Sequence, residues 1–198
     1  MLGLYIGIIL LLNIPYVQHR MSVLVAKELS TVLGSELTVG RINIGLLNRI
    51  IIDDLVLNDQ LGKELLKIGR LSAKFEILPL FSGKISIGNV QLFSFNANLE
   101  RPTPQASTNF QFVLDAFASK DTVKKKSNLD LRINSLLIRR GKVSYDVLSA
   151  ESTPGKFNPQ HIRLSNILAN VSLKALQNNS VNAAIKRMSV EEEHSGFE

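Results

Sequence analysis

Residues Arg49 to Leu57 read RIIIDDLVL, and Lys84 to Leu92 read KISIGNVQL. DLRINSLLI (Asp130 to Ile138) and HIRLSNILA (His161 to Ala169) fit the same mould more loosely. In all four, apolar residues hold the fourth and seventh places, and the sixth holds a short polar residue: Asp54, Asn89, Ser135 or Asn166. A strand alternates its side chains between two faces, so a step of three moves the apolar set to the wrong face. A bulge or a sharp bend at the polar residue would bring it back. A second phrase recurs beside the first, as GRINI (Gly40 to Ile44) and GRLSA (Gly69 to Ala73). The chain therefore reads as a strand pair used several times.

From residue 35 onward, short runs rich in Ile, Val, Leu and Phe alternate with Gly, Asn, Asp and Ser, the pattern of successive strands. Gly34 fits a helix C-cap and Gly40 a turn. One helical segment interrupts the strands near 109–119, where NFQFVLDAFAS sets Phe110, Val113, Leu114 and Phe117 on one helix face. Repeats of this kind predict an array in which each unit buries its apolar side against its neighbours. The intervals between phrases are unequal, which favours a meandering sheet over a strict solenoid.

Ahead of the strands, an apolar run holds Leu2, Leu4, Tyr5, Ile6, Ile8, Ile9, Leu10, Leu11, Leu12 and Ile14. It lacks the basic start and small-residue cleavage point of a signal peptide and has no polar face. Residues 1–17 are accordingly expected to form a membrane anchor helix, although the run falls short of the roughly 20 residues a span requires. Residues 18–34 predict an amphipathic helix with Met21, Leu24, Val25, Leu29 and Val32 on one side, covering the first edge of the sheet.

Chemistry is sparsely written. The three histidines, His19, His161 and His194, lack metal-ligand spacing, and there is no cysteine to serve as thiolate ligand, nucleophile or disulfide partner. Asp53 and Asp54 are adjacent and would point to opposite faces of a strand, which suits a bulge better than an acid–base pair. No phosphate-cradling glycine loop or nucleophile elbow appears. The net charge of +6 is spread along the chain, Trp is absent, and aromatics make up 6% of residues, so nucleic acid is not an expected partner. The expectation is a protein that is not an enzyme and uses no cofactor and no metal.

The order of the phrases IPYVQ, GSELTVGRINIGLLNRIIIDDLVLND, LLKIGRLSAKFEILPLFSGKISIGNVQLFSFNANL, NFQFVLDAF and FNPQHIRLSNILANVSLKAL resembles the N-terminal region of TamB proteins, within the AsmA-like superfamily of diderm bacteria. The resemblance implies a mainly β fold with few helices: an N-terminal membrane helix and an amphipathic helix, then an elongated, curved antiparallel β-sheet shaped like a taco. Residues 35–198 would begin that repeated groove. Family members are many times longer, so the chain reads as a fragment, incomplete at its C-terminus. The resemblance also implies a single-pass inner-membrane protein with its body in the periplasm, conducting phospholipid between inner and outer membranes. Its alternative role is a scaffold for outer-membrane protein or autotransporter assembly, working with a TamA-like barrel through a C-terminal domain outside this chain.

The residues expected to line a lipid-binding groove are Ile50, Ile52, Leu55, Leu57, Ile85, Ile87, Val90, Leu92, Phe93, Phe95, Ile133, Leu136 and Leu164. A conduit requires them on one face, open to solvent. A scaffold that pairs its edges with nascent strands leaves that face covered by the protein itself.

Overall fold

The computed structural model describes residues 10–11, 13–45, 48–75, 85–118, 129–130, 135–153, 155–177 and 180–193, together with Gly3 and Gly7. Helix α1 (Pro15–Leu33) is followed by strands β1 (Leu37–Gly45), β2 (Arg49–Asn58), β3 (Glu64–Phe75) and β4 (Ile85–Arg101). Helix α2 (Gln111–Ala118) leads to β5 (Leu129–Asp130), β6 (Ser135–Val147), β7 (His161–Gln177) and β8 (Ser180–Glu192). Seven strands lie side by side in the order β1-β2-β3-β4-β6-β7-β8, and β5 pairs with the start of β4.

The sheet is mixed, which corrects the expected antiparallel one. β4 and β6 run parallel, with Asn89 opposite Ser135, Val90 opposite Leu136 and Leu92 opposite Ile138. Parallel neighbours need a crossover of a dozen or more residues, usually helical, and the segment carrying α2 supplies it. The offset of 46 between these partners equals the interval between KISIGNVQL and DLRINSLLI, so the two phrases lie abreast.

A kink line crosses the strands and answers the odd step. Asp54 in β2, Ser94 in β4, Arg140 in β6 and Asn166 in β7 all take positive φ, between 49° and 55°. Each left-handed residue turns its strand over, so residues three apart share a face. Ile52 and Leu55 of β2 and Leu92 and Phe95 of β4 accordingly pack into or against one hydrophobic core, which Ile68 and Leu71 of β3 join from either side of Gly69. The intervening strands meet the line with glycine. A Cβ on Gly40 would lie 3.0 Å from the Asp54 Cβ, and one on Gly69 would lie 3.3 Å from the Ser94 Cβ. Gly40 is thus part of β1 and not the turn residue expected. In β6, a Cβ on Gly141 would sit 2.2 Å from the Phe95 ring, which lies directly over the glycine.

Two of the four sixth-place residues, Asp54 and Asn166, are therefore bend residues. In KISIGNVQL the irregularity falls one place earlier: Lys74 pairs with Asn89 and Phe75 with Ile87, leaving Gly88 over. Its strand crosses the main line at Ser94, beyond the phrase.

The core sits where the helices cover β1 to β4. Leu33, Leu37, Leu55, Leu57, Leu65, Ile68 and Val113 form its buried centre. Helix α1 lies against β1, where the Ser30 hydroxyl donates to the Leu37 carbonyl at 3.3 Å and accepts from the Leu37 N–H at 2.9 Å. Gly34 caps the helix at φ 65°, as its sequence position predicts. The buried stripe of α1 is Ser22, Ala26, Leu29 and Leu33, whereas Leu24 and Val32, expected to face inward, are more than half exposed. Small residues let the helix approach the edge strand closely, and this contact overrides the simple apolar count. Leu114 of α2 likewise faces outward, while Phe112 and Ala116 join Val113 in the core.

The membrane anchor does not stand. Among the described residues no helix is long and apolar enough to cross a membrane, which overturns the single-pass inner-membrane placement. Asn13 interrupts the apolar run, its Nδ2 donates to the Ile44 carbonyl of β1 at 2.9 Å, and Pro15 opens a new helix at once. Gln18 and Arg20 in its first turns, with Lys27 and Glu28 further on, make that helix too polar to lie in hydrocarbon. Of the anchor positions, Leu2, Leu4, Tyr5, Ile6, Ile8, Ile9 and Leu12 lie outside the described residues, while Leu10, Leu11 and Ile14 are exposed.

The kink is open to a direct test. Asp54→Gly leaves stability within about 1 kcal/mol of the parent, because glycine accepts positive φ freely. Asp54→Val costs roughly 2 kcal/mol, since a β-branched side chain is strained there. Urea unfolding of both variants measures the difference, and equal midpoints would show that the bend is not needed.

Candidate functional site

Reading across the strands, partner by partner, reveals continuous apolar rows. Ile44, Ile50, Ala73, Val90, Leu136, Val171 and Ile185 form one, each opposite the next. Ile42, Ile52, Leu71, Leu92, Ile138, Ala169 and Met188 form a second. Beyond the kink line, Val39, Leu55, Ile68 and Phe95 continue the same face, followed by Leu37, Leu57, Leu66, Ala97, Val143 and Leu164. Strand neighbours are spaced about 4.8 Å, so a row of seven strands extends roughly 29 Å.

The opposite face is polar along the kink. Shallow depressions there are lined by Gly40, Arg41, Asp53, Asp54, Gly69 and Arg70, and further along by Phe93, Ser94, Arg139, Arg140 and Asn166. Asp53 accepts two bonds from the Arg70 guanidinium, at 2.6 and 3.2 Å. This exposed pair straps β2 to β3, and its contribution is under about 1 kcal/mol.

The expected groove residues divide. Leu55 and Leu57 are 7% and 3% exposed, sealed in the core by protein. Ile52, Leu92 and Phe95 border that core. Ile50, Val90, Leu136 and Leu164 are half-buried on the apolar face. Phe93 lies on the other face, where it lines depressions with Arg70, Arg139 and Arg140. Ile85 and Ile87 belong to β4, but their side chains lie outside the described part, as does all of Ile133.

A cleft of about 500 Å³ opens at one end of the sheet, between the β2–β3 turn and α2, with Leu61, Pro102, Phe112 and Leu148 among its walls. Its acids serve the fold. Asp59 Oδ1 accepts from the Leu61 and Lys63 N–H groups at 2.9 Å, Glu100 pairs with Lys63 at 3.1 Å, and Asp115 accepts from Gln111 at 2.9 Å. Among the described residues no three His, Asp or Glu side chains gather to hold a metal ion.

One polar cluster is not apparent from residue spacing. His161 at the start of β7 places Nδ1 2.8 Å from Asp146 Oδ1 and Nε2 3.1 Å from the Ala150 carbonyl. Arg163 donates to the same Asp146 carboxylate at 2.9 Å. Both ring nitrogens face acceptors, so the imidazolium alone can donate to both. The Asp146 bond, then the Ala150 carbonyl, raise the His161 pKa above its ordinary 6.5, against some burial and the repulsion of Arg163. At Asp146 burial pushes the carboxyl up, but bonds from His161 and Arg163 outweigh it and hold the pKa below the ordinary 3.8. The cluster ties β6 and β7 to the connection between them. The sequence offers only His161 next but one to Arg163; the β6–β7 register is what brings Asp146 to them.

Among known proteins, no family model matches the chain, and no curated protein matches it. The class is set by the fold: a mixed β-sheet with one apolar and one polar face, two helices covering part of the apolar side.

The His161 cluster makes stability depend on pH. The His161 part is fully present below about pH 6.5 and is lost as pH rises through the raised folded value. The Asp146 part is present above about pH 3.8 and is lost as pH falls through the depressed folded value. An NMR titration of the His161 ring is expected to give a midpoint above 6.5, brought back toward that value by Asp146→Asn. An unshifted midpoint in the parent would mean that the ring does not hold both contacts.

Proposed function

We propose that the chain is a lipid-binding β-trough, which shelters the hydrocarbon of phospholipids on its apolar face and lets them move across its strands. The observation that carries this reading is the pair of rows through Ile50, Val90 and Leu136 and through Ile52, Leu92 and Ile138. They run without a polar interruption from β1 to β8. Apart from Ile42, Ala73 and Ala169, the described side chains of these rows keep partial or full exposure. Their length of roughly 29 Å exceeds the ~15 Å half-thickness of bilayer hydrocarbon that one acyl chain fills.

Each methylene moved from water onto such a surface gains up to about 0.8 kcal/mol, so an acyl chain held there has little tendency to leave for water. Because the rows are repetitive, neighbouring positions offer nearly the same energy. A bound chain can shift from strand to strand without a deep trap. Leu55 and Leu57 are filled by the protein's own helices and drop out of the lipid surface, which narrows to the rows through Ile50 and Ile52. That the chain is of the TamB and AsmA-like kind, as the order of its phrases suggests, is part of this proposal.

Mass spectrometry of organic extracts of the purified protein tests this. Phospholipid is expected in the extract, and Ile50→Asp together with Leu136→Asp is expected to remove most of it. Phe93→Asp, on the opposite face, leaves the lipid content unchanged. Extracts of the parent protein without lipid, or equal loss from Phe93→Asp, would refute the proposal.

A further inference from the structure

Two exposed leucines line one cleft at the end of the sheet. Leu61 is 85% exposed and Leu148 60%, and they stand among the walls of the cleft of about 500 Å³ between the β2–β3 turn and α2. Neither belongs to an apolar row, so the cleft is separate from the surface assigned to lipid. Both leucines are held by backbone hydrogen bonds. Gly62 takes φ 80° and donates to the Asp59 carbonyl at 3.0 Å, while the Asp59 N–H donates to the Lys63 carbonyl at 2.7 Å, which fixes the turn carrying Leu61. On the other strand end, the Leu148 N–H donates to the Arg101 carbonyl at 2.9 Å and the Ser149 N–H to the Pro102 carbonyl at 3.1 Å. A preformed, largely apolar cleft with a few polar groups is the usual form of a small-molecule site, for which about 300–1,000 Å³ is common.

Charge narrows the choice of ligand. Asp59, Glu100 and Asp115 line the cleft, and among its described lining residues the one cation is Lys63, which Glu100 already engages at 3.1 Å. Each carboxylate gives one oxygen to the fold: Asp59 Oδ1 to the Leu61 and Lys63 N–H groups, Glu100 Oε2 to Lys63, and Asp115 Oδ1 to Gln111. The second oxygen of each accepts no bond among the described residues. This matters most at Asp59, which is only 4% exposed, because a nearly buried carboxylate oxygen without a donor is costly. A positively charged N–H donor entering the cleft satisfies it with a charge-assisted bond.

We propose that this cleft binds a small amphiphilic amine. Its apolar body lies against Leu61, Phe112 and Leu148, and its ammonium group is drawn to the free oxygens of Asp59 and Asp115. An anion of the same shape meets three carboxylates and is turned away. Binding here needs no lipid on the apolar rows, so the site stands or falls apart from the lipid reading.

Phenylbutylamine and phenylbutyrate, which share an aromatic body and carry opposite charges, are the probes. Isothermal titration of the full chain, with lipid removed, is expected to give a Kd of about 1 mM or tighter for the amine and binding at least about tenfold weaker for the carboxylate. In NMR titrations the amine is expected to shift the amides of Leu61, Lys63, Gln111 and Leu148, and to leave those of Ile50, Val90 and Leu136 in place. Asp115→Asn and Leu148→Ser, both at exposed positions, are each expected to weaken the amine about threefold or more. Ile50→Ser together with Leu136→Ser, on the apolar rows, binds it as the parent does. Circular dichroism confirms that each variant keeps its fold. No saturable binding of the amine, equal affinity for the carboxylate, shifts confined to the apolar rows, or cleft variants that bind as the parent does would each overturn the site.

Discussion

Everything in this sheet depends on reconciling an odd apolar spacing with the two-residue period of a strand. The chain does so with left-handed residues placed on a line across neighbouring strands. Asp54, Ser94, Arg140 and Asn166 each take a backbone conformation that costs an L-residue of order 1–2 kcal/mol. Their strands then keep one apolar face on both sides of the line, and burial of Leu55, Leu57, Leu92 and Phe95 offsets the strain. Gly40 and Gly69 oppose the bends because a Cβ there would press on the neighbouring strand. The two repeated phrases of the sequence are thus complementary halves of one device: a strand with a short polar bend residue, and a strand with a Gly-Arg that accommodates it.

The same geometry sorts the two faces chemically. Residues on either side of a bend project away from the core and bring Arg41, Asp53, Arg70, Arg139 and Arg140 to the polar side. The apolar side is divided between the protein's own helices and the open rows. That division limits the lipid reading, because two of the expected groove residues, Leu55 and Leu57, are core residues in the ordinary sense. It also separates roles among residues that look alike in sequence. Leu55 and Ile50 are both aliphatic and five apart in one strand, yet one is sealed under helices and the other is half-buried on the open part of the face.

The N-terminal helix shows how local pattern and tertiary contact compete. Its apolar count points Leu24 and Val32 inward, but the edge of β1 selects Ser22, Ala26, Leu29 and Leu33 instead. Hydrogen bonds from Ser30 to Leu37 and from Asn13 to Ile44 hold the helix to that edge. The helix thereby covers the edge of the sheet at β1.

The sequence by itself determined the β character of the chain, the helix that ends at Gly34, the helical segment near 109–119 and a bend at the sixth place of the repeated phrase, which holds at Asp54 and Asn166 but not at Asn89 or Ser135. All of these are local: alternation, capping and turn chemistry act over a few residues. Tertiary structure alone decided that β4 and β6 are parallel neighbours, that the bend in β4 falls at Ser94 and not Asn89, and that His161 meets Asp146. It also decided which aliphatic residues lie under a helix and placed Phe93 on the polar face. Those outcomes depend on register between strands distant in sequence, and a shift of one residue exchanges the two faces, so periodicity within a single strand cannot choose among them.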